Sequence, residues 1–121
     1  MIEETKIWWE RSKKDLEVAE KNFKNKDYYA SAFFCQQAIE KALKSININK
    51  GLGLIKTHDL LLLGRKVNLP RKLLEKAVLL NPVYTSSRYP ISDEIFEERE
   101  TEEFISYAKE ILQWCKQQMK I

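Results

Sequence analysis

The residues best placed for binding chemistry lie on one line of a predicted helix. Gln37, Lys41 and Lys44 follow one another at i, i+4, i+7 spacing, which places an amide and two ammonium groups on one helical face. Such a set can hold a phosphate through charge and hydrogen bonds. Lysines at helical spacing also commonly face water. The line is therefore either one wall of an anion-binding cleft or a solvated surface.

His58 is the one histidine in the chain, and it directly follows Thr57, which we predict to cap a short helix. The positive end of a helix favours a neutral imidazole, which can hydrogen-bond a base or a hydroxyl. The alternative is a histidine that closes the loop and packs against the preceding helix. Asp59 would orient the ring or add favourable charge at the helix start.

Arg88 stands in a segment bounded by serines and a proline, between Tyr84 and Tyr89. A guanidinium group binds phosphate or carboxylate as a fork, and the two tyrosines could stack on a base. The alternative is an arginine that pins this segment to the rest of the protein, through backbone carbonyls or through Asp93. Both interpretations remain open at this point.

Helical periodicity predicts the elements that position these residues. We expect helices over about 3–24, 28–48, 57–67, from near 70 to just before 82, and 101–120, with residues 81–92 as a loop. Asp27 and Thr101 are predicted N-caps. The fold class that follows is all-α, an up-and-down antiparallel four-helix bundle with an additional short helix, as a single domain over residues 1–121.

Two sets of apolar residues are predicted to be buried. Trp8, Leu16, Ala19 and Phe23 form the core stripe of the first helix. The short middle helices carry more leucine than one core face needs, so we expect some of it to be buried in a homodimer. The leucine-rich runs are Leu60, Leu61, Leu62, Leu63, Leu73, Leu74, Leu79 and Leu80.

Three segments in this order resemble the HEPN family, the nucleotide-binding domain shared by higher eukaryotes and prokaryotes. They are residues 36–44, 56–60 and 84–90, and the resemblance extends from about Trp8 to Cys115. It is closest to the short, stand-alone prokaryotic type. Proteins of that type often act beside a separate minimal nucleotidyltransferase chain, so the resemblance implies such a partner.

An antiparallel bundle can bring the three segments together. The hypothesis is a single cationic, nucleotide- or phosphate-binding cleft with aromatic walls. Its members would be Gln37, Lys41, Lys44, His58, Tyr84 and Arg88.

Many HEPN proteins are metal-independent ribonucleases that use an Arg followed, after four to six residues, by a His. Arg88 has Asp93, Glu94 and Ile95 at the required positions, and residues 51–53 before His58 are Gly, Leu and Gly. The resemblance therefore carries over no catalytic residue. P-loop, GxGxxG and nucleotidyltransferase motifs are also missing from the sequence.

We accordingly expect a non-catalytic nucleotide- or polynucleotide-binding module, with no cofactor and no metal. One alternative is a metal-independent ribonuclease toxin with a degenerate site. The other is a purely structural protein-interaction module.

Composition and charge limit the setting in which the protein works. Apolar residues make up 44% of the 121 positions and charged residues 32%, which is typical of a folded domain. No apolar run approaches the ~18 residues of a membrane span, and no secretory signal is evident. We expect a cytoplasmic protein with no membrane partner. Basic residues are in excess up to residue 90 and acidic ones after it, which suits an anionic ligand or self-association.

Overall fold

The computed structural model describes residues 2–88 and 96–121, apart from the side chains of residues 86–88. Within these ranges every regular element is a helix, which confirms the all-α bundle. The helices are α1 (Glu3–Lys24), α2 (Tyr28–Asn49), α3 (Leu60–Lys66), α4 (Arg71–Val78), α5 (Asn81–Arg88) and α6 (Glu98–Met119).

The helices α1 and α2 form an antiparallel hairpin. The turn between them holds Lys26 at a φ of 60°, and the Asp27 carboxylate then accepts a hydrogen bond from the backbone N–H of Ala30. Asp27 is therefore the N-cap of α2, as predicted. Further along, the Ser31 hydroxyl donates to the Ala19 carbonyl, which links the two helices at their closed end.

Helix α2 lies at the centre of the bundle and is in contact with α1, α3, α5 and α6. Almost every side chain from Cys35 to Ile48 is buried. The contacts Lys109–Glu20 and Ser45–Met119 show that α6 runs antiparallel to α1 and in the same direction as α2. Because neighbouring helices cover α2 on several sides, polar residues of α2 are buried together with its apolar ones.

The core confirms most of the predicted apolar residues, with two corrections. Trp9, only 5% exposed, fills the place predicted for Trp8, which is half-buried. Among the leucines, Leu60, Leu63 and Leu80 are fully buried, but others are not. Leu62 and Leu79 are exposed by 40% and 57%, so part of the leucine-rich surface is left uncovered in the monomer.

The short helices begin and end at other residues than predicted. The carboxylate of Asp59, not Thr57, caps α3 by accepting from the N–H of Leu61, so His58 precedes the helix rather than lying in its first turn. The segment predicted as a loop from residue 81 forms α5 as far as Arg88, because a proline at position 82 is tolerated in a first helical turn. The predicted residues beyond 88, including Tyr89 and Asp93, lie outside the described residues.

Helix α6 begins one turn earlier than predicted. Its N-cap is Glu97, and Thr101 lies buried inside the first turns with its hydroxyl donating to the Glu97 carbonyl. The two cysteines, Cys35 and Cys115, are buried free thiols. None of the described helices is long and apolar enough to cross a membrane.

Candidate functional site

A buried carboxylate organises the polar side of α2. The Glu40 side chain, 4% exposed, accepts hydrogen bonds at both of its oxygens. Oε2 accepts from the Lys44 ammonium at 2.9 Å. Oε1 accepts from the Gln36 amide at 3.1 Å and contacts His58 Nδ1 at 2.9 Å. Both oxygens of this carboxylate are therefore occupied by hydrogen-bond partners, one of which is an ammonium group.

His58 is oriented by this carboxylate. Because ionised Glu40 can only accept hydrogen bonds, Nδ1 of His58 must carry the proton. In the neutral imidazole, Nε2 is then the acceptor, on the far side of the ring from Glu40. The His58 side chain is 51% exposed. The arrangement therefore presents a fixed ring with a defined tautomer to solvent.

Tyr84, on α5, forms the second support of His58. The two rings are stacked, with centroids 4.0 Å apart and an interplanar angle of 16°. A cavity of about 290 Å³ opens at this stack, and the other residues that line it are Asp59, Asn81 and Thr85. We call this the His58 cavity. Its walls combine aromatic faces with amide, hydroxyl and carboxylate groups.

The start of α3 is joined to the start of α5 by Asn81. Its amide oxygen accepts from the N–H of Leu60 at 2.8 Å, and its amide nitrogen donates to the Asp59 carboxylate at 2.9 Å. The same Asp59 oxygen caps α3, and the Asp59 N–H donates to the Thr57 hydroxyl. These bonds fix the distance between His58 and Tyr84, and hence the shape of the cavity.

Lys41 and Gln37 have partners away from the His58 cavity. The Lys41 ammonium forms a 2.5 Å ion pair with Asp15 of α1, and the side chains are 19% and 7% exposed. The Gln37 amide donates to Gln36. Lys44 also lies over the Trp8 ring, 5.5 Å from its centroid. The positive charges of both lysines are thus balanced by carboxylates within the bundle.

Hydrogen bonds and a ring stack connect four of the six predicted site residues. Glu40 binds Lys44 and His58 directly and Gln37 through Gln36. Tyr84 stacks on His58, whereas Lys41 pairs with α1. Arg88 ends α5, four residues after Tyr84, and its side chain is outside the described part. The prediction that all six residues contact one nucleotide or phosphate therefore stays a prediction.

Glu40 and Asn81 are not among the predicted site residues. The i, i+4 spacing of Glu40 to Lys44 is the signal of a helical ion pair, and it would have pointed to Glu40. Asn81 fell in a segment predicted as a loop. An asparagine directly before a proline is a turn or helix-start signal, and that signal would have suggested a capping role.

The chain is thus a helical bundle whose central helix carries a buried Glu–Lys pair, with a carboxylate-bound histidine at the bundle surface. The model of the HEPN domain family matches residues 5–118. The chain therefore belongs to the HEPN family. A comparison with curated protein sequences gave no match.

Solved structures of similar shape support this assignment. An archaeal HEPN homologue is 31% identical, with a TM-score of 0.83 over 95% of this chain and 97% of its own. The Thermus thermophilus protein TT1696 is 27% identical, with a TM-score of 0.88 over 96% and 98%. An HEPN domain protein of Thermotoga maritima, 21% identical, shares the fold with a TM-score of 0.76 over 93% and 97%.

Proposed function

We propose that this HEPN domain binds a nucleotide or a polynucleotide end at the His58 cavity and does not cleave it. The observation that carries the proposal is the stack of His58 on Tyr84 above ionised Glu40. It provides an aromatic face for a base and an oriented ring nitrogen for a hydrogen bond. The neighbouring groups of Asn81 and Thr85 add polar contacts to the same cavity.

The six predicted residues would then have different roles. His58 and Tyr84 would contact the ligand directly, and Arg88, on the same helix as Tyr84, would bind a phosphate. Lys44 would act through Glu40, because its side chain is 6% exposed and its ammonium already binds Glu40. Lys41 and Gln37 would contact ligand only after exchanging their present partners on α1 and α2.

The binding test is a calorimetric titration of the purified protein with ATP, GTP and a short RNA. Replacing one stacking residue should cost roughly 1–3 kcal/mol of binding free energy. Tyr84→Ala should therefore weaken the saturable signal by about 5- to 150-fold. Tyr29→Ala is the matched control, since Tyr29 is exposed on α2 and does not line the cavity. If no ligand saturates the wild-type protein, the interaction-module alternative stands instead.

Glu40 and His58 also resemble an oriented acid–base pair, which favours ribonuclease activity as the second candidate. A carboxylate that fixes the imidazole tautomer is the arrangement by which a histidine abstracts a proton. An RNA-cleavage assay in excess chelator decides between the candidates. Cleavage that disappears in His58→Ala would support a ribonuclease with a rearranged site; no cleavage in the wild type would support the binding module.

The proposal includes a homodimer that works in the cytoplasm with a separate minimal nucleotidyltransferase chain. The exposed side chains of Leu62 and Leu79 support self-association, because a monomer leaves them in water. Sedimentation velocity should show a dimer that Leu62→Glu or Leu79→Glu dissociates. Co-purification with a transferase encoded by the adjacent reading frame tests the partner. A monomeric wild type would refute the dimer, and failure to bind that transferase would refute the partnership.

A further inference from the structure

A long trough follows the seam between α1 and α6. It consists of two adjoining hollows, of about 710 Å³ and about 280 Å³, whose linings share Trp9, Lys13 and Lys116. We call it the α1–α6 trough. None of the described residues that line it also lines the His58 cavity, so it is a separate feature of the surface.

The rims of the trough are strongly basic. Lys6 and Lys13 stand seven residues apart on α1, and Lys109 and Lys116 stand seven residues apart on the antiparallel α6. Seven residues of α-helix extend about 10 Å. With Arg11 and Lys14, the described residues of the lining include six cationic side chains and two acidic ones, Glu3 and Glu10.

Much of this positive charge is not compensated within the described part of the chain. No carboxylate there lies within 4 Å of the charged groups of Lys6, Arg11 or Lys116. The other three cations form ion pairs between largely exposed side chains. These pairs are Lys13–Glu10, Lys14–Glu17 and Lys109–Glu20, at 3.1, 3.7 and 3.8 Å. Exposed pairs of this kind are weak, so a multivalent anion can displace them.

The floor of the trough is apolar. Trp9 is 5% exposed, and Leu16 and Leu112 lie beside it. The Lys13 ammonium lies 5.9 Å from the Trp9 ring centroid, which places this cation at the edge of the floor. A ligand that fits must therefore carry anionic groups along its edges and apolar faces between them.

We propose that the α1–α6 trough binds a single-stranded polynucleotide, with phosphates against the two lysine rims and sugars or bases over the floor. This site is independent of the nucleotide proposed for the His58 cavity. The acidic start of α6 from a second copy would also be anionic. It fits less well, because Arg99 lies among its glutamates, 3.9 Å from Glu103, and lowers its net charge.

Fluorescence anisotropy with a short labelled oligouridylate tests the proposal. The triple variant Lys6→Gln/Lys13→Gln/Lys116→Gln should bind about tenfold more weakly at low salt. Each lost phosphate contact lowers the slope of log K against log salt by about 0.7, so the slope should fall by about 2. The matched control is the triple variant Lys21→Gln/Lys24→Gln/Lys72→Gln, which removes the same charge from exposed positions outside the trough.

Further outcomes also test the proposal. The trough variant should lower the salt slope by the same amount in a Tyr84→Ala background, since Tyr84 lines the His58 cavity and not the trough. Equal weakening by both triple variants would reduce the effect to net charge and overturn the proposal. Unchanged binding in the trough variant would overturn the proposal as well. So would a wild-type oligomer that dissociates in the trough variant and not in the control variant. Thermal melts verify that both triple variants are folded.

Discussion

The Lys44 ammonium lies 2.9 Å from the Glu40 carboxylate, and the two side chains are 6% and 4% exposed. Ion pairs this deep cost desolvation on both sides, so their net contribution to stability is small. Removing only one partner is different, because the other charge is then left buried and unpaired. The pair therefore makes the site and the stability of the bundle depend on each other.

Glu40→Gln is expected to be strongly destabilising. The substitution keeps the shape of the side chain but leaves the Lys44 ammonium without a counter-charge, a change that typically costs about 3–5 kcal/mol. Urea denaturation measures the free energy of unfolding. Glu17→Gln is the matched control, because the Lys14–Glu17 pair is largely exposed and should change stability by less than about 1 kcal/mol.

A double variant separates charge from packing. Adding Lys44→Met to Glu40→Gln removes the unpaired ammonium and should recover most of the lost free energy, about 2 kcal/mol or more. If Glu40→Gln alone lowers the free energy of unfolding no more than Glu17→Gln does, Lys44 does not depend on Glu40 as a buried counter-charge.

Asn81→Ala is expected to loosen the His58 cavity. It removes the acceptor of the Leu60 N–H and the donor to Asp59. The loss of one such capping interaction costs roughly 1–2 kcal/mol. Because the same bonds fix α5 to α3, nucleotide affinity should fall together with stability.

The control for Asn81→Ala is an asparagine outside the cavity whose backbone tolerates alanine. Asn68 is unsuitable, because its φ of 57° is a left-handed conformation that alanine disfavours. Asn22→Ala is therefore preferred, since its amide bonds only to the Val18 carbonyl of its own helix. Calorimetry with ATP and urea melts on both variants measure the two effects. A loss of affinity as large in Asn22→Ala would contradict a specific role for Asn81.

The long helices followed from the sequence because their signals are local. The 22-residue spans of α1 and α2 have the periodicity and, for α2, the Asp27 cap that define a helix on their own. Helix α5 could not be predicted in this way. Its two serines and its proline are loop-forming by propensity, and its packing against α2 is a tertiary contact that local signals do not show.

The candidate site was only partly predictable for a related reason. A helical wheel shows that Lys41 and Lys44 share a face, but not which side chains of other helices meet that face. Asp15 lies 26 positions before Lys41, and His58 lies 18 positions after Glu40. Whether a polar face is solvated or buried under other elements is a property of the packing and cannot be read from spacing alone.

Gly64 permits close packing of α3 against the side chains of Leu69 and Leu74. A Cβ at this position would lie 2.6 Å from Leu74 Cδ1 and 3.3 Å from Leu69 Cδ2. Gly64→Ala requires the end of the Leu74 side chain to move, but it gains about 1 kcal/mol of helix propensity, so the net change should be within about 1 kcal/mol.

Gly64→Val should be clearly destabilising, because its additional methyl groups overfill the same space at a cost of about 1–3 kcal/mol. Urea denaturation of both variants provides the comparison. Equal stability of the alanine and valine variants would show that the space around residue 64 is wider than the contacts with Leu69 and Leu74 indicate.

The two buried thiols predict how stability depends on pH in the alkaline range. Burial raises the pKa of Cys35 from 9.0 to about 12, and it also raises the pKa of Cys115. Both thiols stay neutral in the folded state while they ionise in the unfolded chain above pH 9. Their contribution is therefore fully present below pH 9 and is lost as pH rises toward the folded pKa values. One pH unit above 9, each cysteine should account for roughly 1–2 kcal/mol of lost stability.

The double variant Cys35→Ala/Cys115→Ala tests this dependence. The absolute stability of this variant will be lower, because two small cavities are created. The informative quantity is therefore the loss of unfolding free energy between pH 8 and pH 10. This loss should be about 3 kcal/mol smaller in the variant than in the wild type. Lysines and tyrosines titrate in both proteins and cancel in the comparison. Identical pH dependence would mean that the thiols do not remain protonated in the fold, and native-state labelling with a thiol reagent would then be fast rather than limited by unfolding.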